Sequence, residues 1–168
     1  SNVYPGRDRI PEKPPEPKFT KAVKEFTVEE KDVTEQVIEL SFGATLSGTV
    51  VLEKPKGLTG SIVLTAKSDK DDITATTSVW LYELGCPGKT VQPQEFRLDG
   101  ITSGKNTISI TPSGQSNDYY VKSAASSQID LLKGPFDFKD REIFANIRIV
   151  LASDVGSLKG TVMDSSRQ

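Results

Sequence analysis

Apolar and polar side chains alternate along most of the chain from residue 36 onward. Between residues 44 and 50 every second residue is apolar or glycine, and threonine or serine stands at each position between them. The same period of two recurs over residues 38–42, 62–66, 96–98, 108–110 and 143–151. Side chains of a β-strand point alternately to its two faces, so this pattern is typical of strands with one face in a core and the other in water. It predicts a series of short strands, each buried on one side only.

Turn-forming residues separate these runs, at residues 55–57, 68–72, 86–88, 103–104 and 113–114. The composition also favours strands, because the chain has 15 threonines, 14 valines and 11 isoleucines but only 8 alanines. β-Branched side chains lose rotamer freedom in a helix and pack well on a pleated sheet. Seven or eight strands at this spacing predict an all-β fold, an immunoglobulin-like or prealbumin-like antiparallel β-sandwich.

Two segments of the chain match each other at a separation typical of a whole domain. ATLSGTV at 44–50 and GSLKGTV at 156–162 place Gly48 and Gly160 112 residues apart. A second match lies upstream of these segments: FTVEEKDVTEQVIEL spans residues 26–40 from Phe26, and FDFKDREIFANIRIVL spans residues 136–151 and ends with Leu151. A repeat of this length indicates tandem domains, with chance similarity between strands as the alternative.

The repeat predicts where the domain boundaries lie. Residues 1–35 form a Pro-rich extended N-terminal segment, 36–42 the closing strand of an upstream repeat, 43–156 a complete β-sandwich domain, and 157–168 the opening strand of a downstream repeat. The N-terminal segment is expected to be extended because proline fixes φ and removes a hydrogen-bond donor. The strands at 36–42 and 157–168 would be separated from their own repeats. Each should dock on an edge of the sandwich, pair with the other, or join a neighbouring molecule.

Four motifs resemble one known family. SGTV at 47–50, EFRLDGITSGKNTISI at 95–110, DYYVKS at 118–123 and IRIVLASDVGSLKGTV at 147–162 resemble the carboxypeptidase regulatory-like domains, relatives of the B-type repeats of collagen-binding adhesins. The resemblance implies a sandwich without catalysis of its own, in a tandem array within a bacterial envelope or secreted protein. Neighbouring domains of the same chain would be its partners. The sequence departs from the family at Asn106, where the family has a tyrosine.

The residue types exclude several kinds of chemistry. The chain has no histidine and a single cysteine, so it has no Ser-His-Asp triad, no histidine-ligated metal and no intrachain disulfide. Its net charge of -2 argues against a nucleic-acid partner. No apolar run approaches the ~20 residues of a membrane helix, so we expect no membrane insertion in this fragment. We predict no catalytic site, no cofactor and no metal site, and therefore no enzyme.

Three features could bind a metal ion or form a covalent bond, but we interpret each of them as structural. Asp69, Asp71 and Asp72 in SDKDD could hold Ca²⁺, but they lack the spacing of an EF-hand and indicate an acidic hairpin turn. Adhesin repeats of the kind named above sometimes form a Lys–Asn isopeptide bond. Asn146 falls on the polar face of a plausible last strand, and the first strand has no lysine, so we do not expect that bond. Cys86 in GCPG is a loop thiol, free or partly buried, with pairing between chains as the alternative.

Four aromatic residues are candidates for stacking on a ligand: Trp80, Tyr82, Tyr119 and Tyr120. Trp80 and Tyr82 share one face of a strand, whereas the adjacent Tyr119 and Tyr120 must point to opposite faces. A tryptophan in the third strand of a sandwich is typically in the core, and we expect this of Trp80. The alternative is that exposed rings stack on the apolar faces of sugars.

The sequence thus supports two functions. The first is a non-catalytic extracellular or envelope module for structure and interaction, one link in a tandem array of β-sandwich domains, with a protein ligand on its loops or strand edges. The alternative is a carbohydrate-binding module that uses exposed aromatics to bind a glycan. Ring exposure discriminates between them, because two or three coplanar exposed rings favour the glycan and buried rings favour the structural module.

Overall fold

The fold is given by a computed structural model that describes residues 18–28, 36–53, 59–82, 93–114 and 119–153. Eight strands occur in chain order: β1 (Ala44–Glu53), β2 (Thr59–Ser68), β3 (Thr74–Tyr82), β4 (Gln94–Ile101), β5 (Gly104–Gly114), β6 (Tyr120–Ala125), β7 (Phe136–Phe138) and β8 (Ile143–Ala152). A single 3-10 turn, Leu131–Lys133, lies between β6 and β7, and the described residues contain no α-helix. The predicted all-β fold is confirmed.

The strands form two four-stranded sheets that pack face to face. The first sheet has the order β4-β1-β8-β6 and the second sheet the order β3-β2-β5-β7. Both sheets contribute to one buried core, the first through residues such as Leu98 and Ile149 and the second through residues such as Leu64 and Leu81. The inward positions are those that the alternation marks as apolar, which confirms the predicted sandwich.

One strand pair differs from the prediction. β1 and β8 run parallel, whereas every other pair of the two sheets is antiparallel. The sandwich is therefore antiparallel-rich, as predicted, with one parallel pair that the sequence did not indicate. The physical reason is that β7, which precedes β8, lies in the second sheet, so the chain crosses between the sheets and no hairpin sets the direction of β8.

The parallel pair contains a β-bulge next to a very close backbone approach. Its register shifts between Leu46 and Gly48, where β8 carries one residue more than β1 and Asn146 takes a φ of 58°. A Cβ at Gly48 would overlap the Ile147 carbonyl oxygen and would lie 2.6 and 2.7 Å from the carbonyl carbon and nitrogen of Ile147. Only glycine fits there without moving one strand.

Asn106 closes the turn between β4 and β5. Its side chain is buried, and its Nδ2 donates to the carbonyl oxygens of Thr102 at 2.8 Å and Gly104 at 2.9 Å. Gly104 has a φ of 95°, a conformation that glycine adopts without strain. An amide therefore holds this turn at the position where the resembling family has a tyrosine.

Residues 18–28 and 36–42 precede β1 and are termed the N-terminal arms. Phe19 and Phe42 form an isolated antiparallel bridge with rings stacked 4.5 Å apart, and Arg141 lies 4.2 Å from the centre of the Phe42 ring. Beyond this bridge neither arm forms a strand, so the strand expected at 36–42 is not observed over its length. Its side-chain alternation indicates an extended chain, but a strand also needs a ladder of partners, which the sandwich does not provide there.

Several predictions fall on other parts of the chain. The Pro-rich residues up to 17, the GCPG motif with Cys86, and the segment 157–168 with its Gly160 match all lie outside the described residues. The two flanking assignments and the role of the thiol accordingly stay predictions.

Candidate binding surface

The four candidate aromatic residues occupy different environments. Trp80, near the end of β3, is 60% exposed, and Tyr120, at the start of β6, is 39% exposed. Tyr119 is buried and belongs to the core, so the adjacent tyrosines do differ in the predicted way. Tyr82 is the last residue of β3, and only its backbone is described.

Trp80 was expected in the core, and this expectation was wrong. In the run Val79-Trp80-Leu81 the side chains of Val79 and Leu81 enter the core, so the alternation of the strand turns the indole outward. β3 is also the edge strand of its sheet, which leaves the outer side of the indole open to solvent. Val79 and Leu81 occupy the core-facing positions on either side of Trp80, so the indole cannot point inward as well.

The two exposed rings lie on different sheets and do not form one platform. Trp80 pairs with Ser61 in the second sheet, and Tyr120 pairs with Ala152 in the first sheet. Trp80 and Tyr120 therefore do not provide the coplanar pair that would favour a glycan most strongly. Among the candidate rings whose side chains are described, a stacking contact would use one ring on each sheet.

Trp80 lies at one end of a hydroxyl-rich surface on the outer side of the second sheet, termed the Trp80 face. Four rows of paired residues cross β3, β2 and β5 on this side: Trp80–Ser61–Ser113, Ser78–Val63–Thr111, Thr76–Thr65–Ser109 and Thr74–Lys67–Thr107. All twelve side chains are exposed or half-buried, and nine are serine or threonine. Neighbouring strands lie about 4.8 Å apart and alternate residues about 6.7 Å apart, so the hydroxyls form a regular grid.

The Trp80 face carries almost no free charge. Its only ionisable side chain, Lys67, forms an ion pair with Asp72 at 2.7 Å across the β2–β3 turn. The hydrogen bond from Lys67, with its positive charge, holds the pKa of the Asp72 carboxyl below its ordinary value, and Asp72 raises the pKa of Lys67 in return. A neutral grid of hydroxyl donors and acceptors next to an indole supports stacking and hydrogen bonding rather than acid–base chemistry.

The acidic motif SDKDD forms the turn that the sequence predicts. Asp72 binds Lys67, Asp69 accepts a hydrogen bond from Thr107 at 3.2 Å, and the Ser68 amide donates across the turn to the Ile73 carbonyl oxygen. In the part of the chain covered by the structure, no group of three or more Asp, Glu, Cys or His side chains is placed to hold a metal ion.

A second polar surface lies on the outer side of the first sheet. A shallow groove of about 430 Å³ opens there next to Gly48, and Glu95, Arg97 and Asn146 line it. Arg97 is held by Asp99, to which its Nε and Nη2 donate at 2.9 and 2.8 Å. Asn146 is exposed, as its predicted place on the polar face requires. The groove thus presents the Glu95 carboxylate and the Asn146 amide.

The hydroxyl grid was not predicted from the sequence. Its signal was present in β3, where Thr74, Thr76 and Ser78 alternate with inward-facing positions and lead to Trp80. Alternation within one strand gives a stripe, and only the register of β3, β2 and β5 joins the stripes into a face. That register was not readable from the sequence.

Comparisons with family models, with curated proteins and with solved structures find no match to this chain. The resemblance to carboxypeptidase regulatory-like domains therefore stays a prediction from four short motifs. Within the described residues no helix is long and apolar enough to cross a membrane.

Proposed function

We propose that this chain is a non-catalytic interaction module, one link in a tandem array of β-sandwich domains outside the cell or in the cell envelope. The N-terminal arms carry the proposal. They hold seven large apolar side chains that are more than half exposed: Phe19, Val23, Phe26, Val28, Val37, Ile38 and Leu40. Single exposed apolar residues are ordinary, but seven of them within two short segments indicate a surface that another domain covers.

The sandwich itself does not need these side chains. Its core is filled by residues from all eight strands and by Tyr119, Ile129 and Leu131, and the large apolar residues of the arms do not belong to it. The bridge between Phe19 and Phe42 joins the two arms to each other. Beside it, Lys18 pairs with Asp99 at 4.0 Å and Arg141 lies over the Phe42 ring, so the arms contact the sandwich at their base. A complete domain preceded by an uncovered apolar segment fits a link in a longer chain. The extracellular or envelope location is supported by the family resemblance alone.

The protein sequence that the natural gene encodes on either side of this segment tests the proposed array. We expect the flanking sequence to encode further β-sandwich domains, with a Gly-Thr-Val strand recurring about every 112 residues, the distance from Gly48 to Gly160. Flanking sequence without strand alternation at domain-length intervals would contradict the array. This test depends on neither the Trp80 face nor the pairing of the arms.

Carbohydrate binding is a second candidate function, and the exposed indole on a neutral hydroxyl grid favours it. An indole stacks on the C–H face of a pyranose, and hydroxyl side chains both donate to and accept from sugar hydroxyls. The absence of unpaired charge on the Trp80 face matches a neutral polysaccharide. Against this candidate stands the position of Tyr120 on the other sheet, which prevents it from serving as a second ring beside Trp80.

Substituting Trp80 by alanine tests this candidate. If the face binds a glycan, the W80A variant should lose about tenfold or more in affinity, equivalent to about 1.4 kcal/mol, on a glycan array or on immobilised polysaccharide. Its melting temperature should stay close to that of the wild type, because the indole is largely outside the core. Tyr120→Ala is the matched control, since it removes an exposed ring from the other sheet. Equal binding by wild type and W80A, or no binding by either, would exclude the Trp80 face as a glycan site.

A further inference from the structure

The N-terminal arms repeat the sequence of the last two strands of the sandwich. FTVEEKDVTEQVIEL at 26–40 is similar to FDFKDREIFANIRIVL at 136–151, and the two differ by one residue in length. In the structure, residues 136–151 form β7, a short turn and most of β8. β7 pairs with β5 in the second sheet, and β8 lies between β1 and β6 in the first sheet. The repeated sequence thus corresponds to a defined two-strand unit.

Apolar positions of the arms correspond to core positions of that unit. The equivalent pairs are Val28 and Phe138, Ile38 and Ile149, and Leu40 and Leu151. The three residues of β7 and β8 are buried, with 2%, 0% and 0% of their surfaces exposed. The three residues of the arms are 68%, 58% and 56% exposed. At these three positions, side chains that are buried in one copy are exposed in the other.

The connection to the next strand differs by only one residue between the two copies. Leu40 lies eight residues before Gly48 of β1, and Leu151 lies nine residues before Gly160 of the second Gly-Thr-Val segment. In an array of this design, β8 of one sandwich leads within a few residues into β1 of the next. The second arm therefore stands where β8 of a preceding sandwich would end.

We propose that the N-terminal arms are the β7–β8 unit of an upstream β-sandwich and complete its core through Val28, Ile38 and Leu40. The occupant of the apolar surface is then a domain of the same fold, contributing strands equivalent to β1–β6. The first arm pairs with the β5 equivalent, and the second arm inserts between the β1 and β6 equivalents. This inference rests on the proposed array and extends it, because a single closing strand at 36–42 becomes a two-strand unit with a defined inward face.

Two tandem chains test the inference. In the arm chain, residues 43–135 are joined to residues 26–168, so that the arms replace β7 and β8 of an added upstream copy. In the control chain, residues 43–151 are joined to residues 41–168, so that the upstream copy keeps its own β7 and β8. The downstream sandwich begins identically in both. We expect the upstream copy to fold in both chains, with the amides of 36–42 protected from hydrogen exchange in the arm chain and exchanging rapidly in the single chain.

The double substitution of Ile38 and Leu40 by aspartate sharpens the test. In the arm chain it should unfold the upstream copy and leave the downstream copy folded, whereas in the single chain it should leave the melting temperature unchanged because both residues are exposed there. An unfolded upstream copy in the arm chain beside a folded one in the control would overturn the inference and leave the array standing. Unfolding of the upstream copy in both chains would contradict the array as well as the inference.

Discussion

Substitution of Gly48 by valine is expected to lower the free energy of unfolding by about 3 kcal/mol or more, at the upper end of the effect of overpacking a core. The atoms that a side chain would meet belong to the backbone of Ile147, not to a flexible side chain that could turn away. β1 and β8 are both central strands of the first sheet, so separating them would also disturb their pairing with β4 and β6. Thermal or urea unfolding measures the loss.

The neighbouring residue supplies the control. Thr49→Val adds no volume, lies next to Gly48 in β1 and is half-buried, so we expect a change within about 0.5 kcal/mol. Gly48→Ala should fall between the two, because the Cβ alone already overlaps the Ile147 carbonyl oxygen. A Gly48→Val variant as stable as wild type would show that the two strands do not approach each other as closely as described.

Local alternation was sufficient to predict the class of this fold. Residues 44–50, 62–66 and 143–151 show a period of two, and each lies within one of the strands β1, β2 and β8. The turn at Ser68–Asp72 was equally readable, because serine and aspartate favour tight turns. These features depend on neighbours in sequence, and the burial of one face follows directly from them.

Features that depend on distant parts of the chain were not predictable in this way. The parallel pairing of β1 and β8 is set by the crossing of the chain between sheets, which no local pattern specifies. The outward position of Trp80 was decided by Val79 and Leu81, since three consecutive apolar residues leave the phase of the strand ambiguous. The arms show that alternation alone does not make a strand where no partner strand is present.

The candidate site was predictable only in part for the same reason. Trp80 and Tyr120 were identified as candidates from residue type, but their separation onto two sheets follows from strand order. The hydroxyl grid needs three strands in register. Asn106 was identified as a departure from the family pattern, yet its burial and its two hydrogen bonds to carbonyl oxygens became visible only in the folded turn.

Replacing Asn106 by leucine should lower the free energy of unfolding by about 2–4 kcal/mol, because each buried polar group left without its partner costs about 1–3 kcal/mol. Leucine has a similar size and would fill the same space, but it cannot donate to the carbonyl oxygens of Thr102 and Gly104. Thr102→Val is the control: it removes only the weaker contact from the Thr102 hydroxyl to Oδ1 of Asn106, 3.3 Å long, and should cost about 1 kcal/mol or less.

Replacing Asn106 by aspartate turns the same site into a pH-dependent one. A carboxylate in this buried position would face two carbonyl oxygens, so folding should raise its pKa above the value of about 3.9 in the unfolded chain. Because the neutral form is favoured in the folded state, stability relative to wild type should be highest below that value and fall as the pH rises through the folded pKa. Urea unfolding at pH 4 and pH 7 measures the difference, which should be larger at pH 7 for Asn106→Asp and independent of pH for Asn106→Leu. A constant difference for the aspartate variant would show that the Asn106 side chain is open to solvent and does not hold the β4–β5 turn.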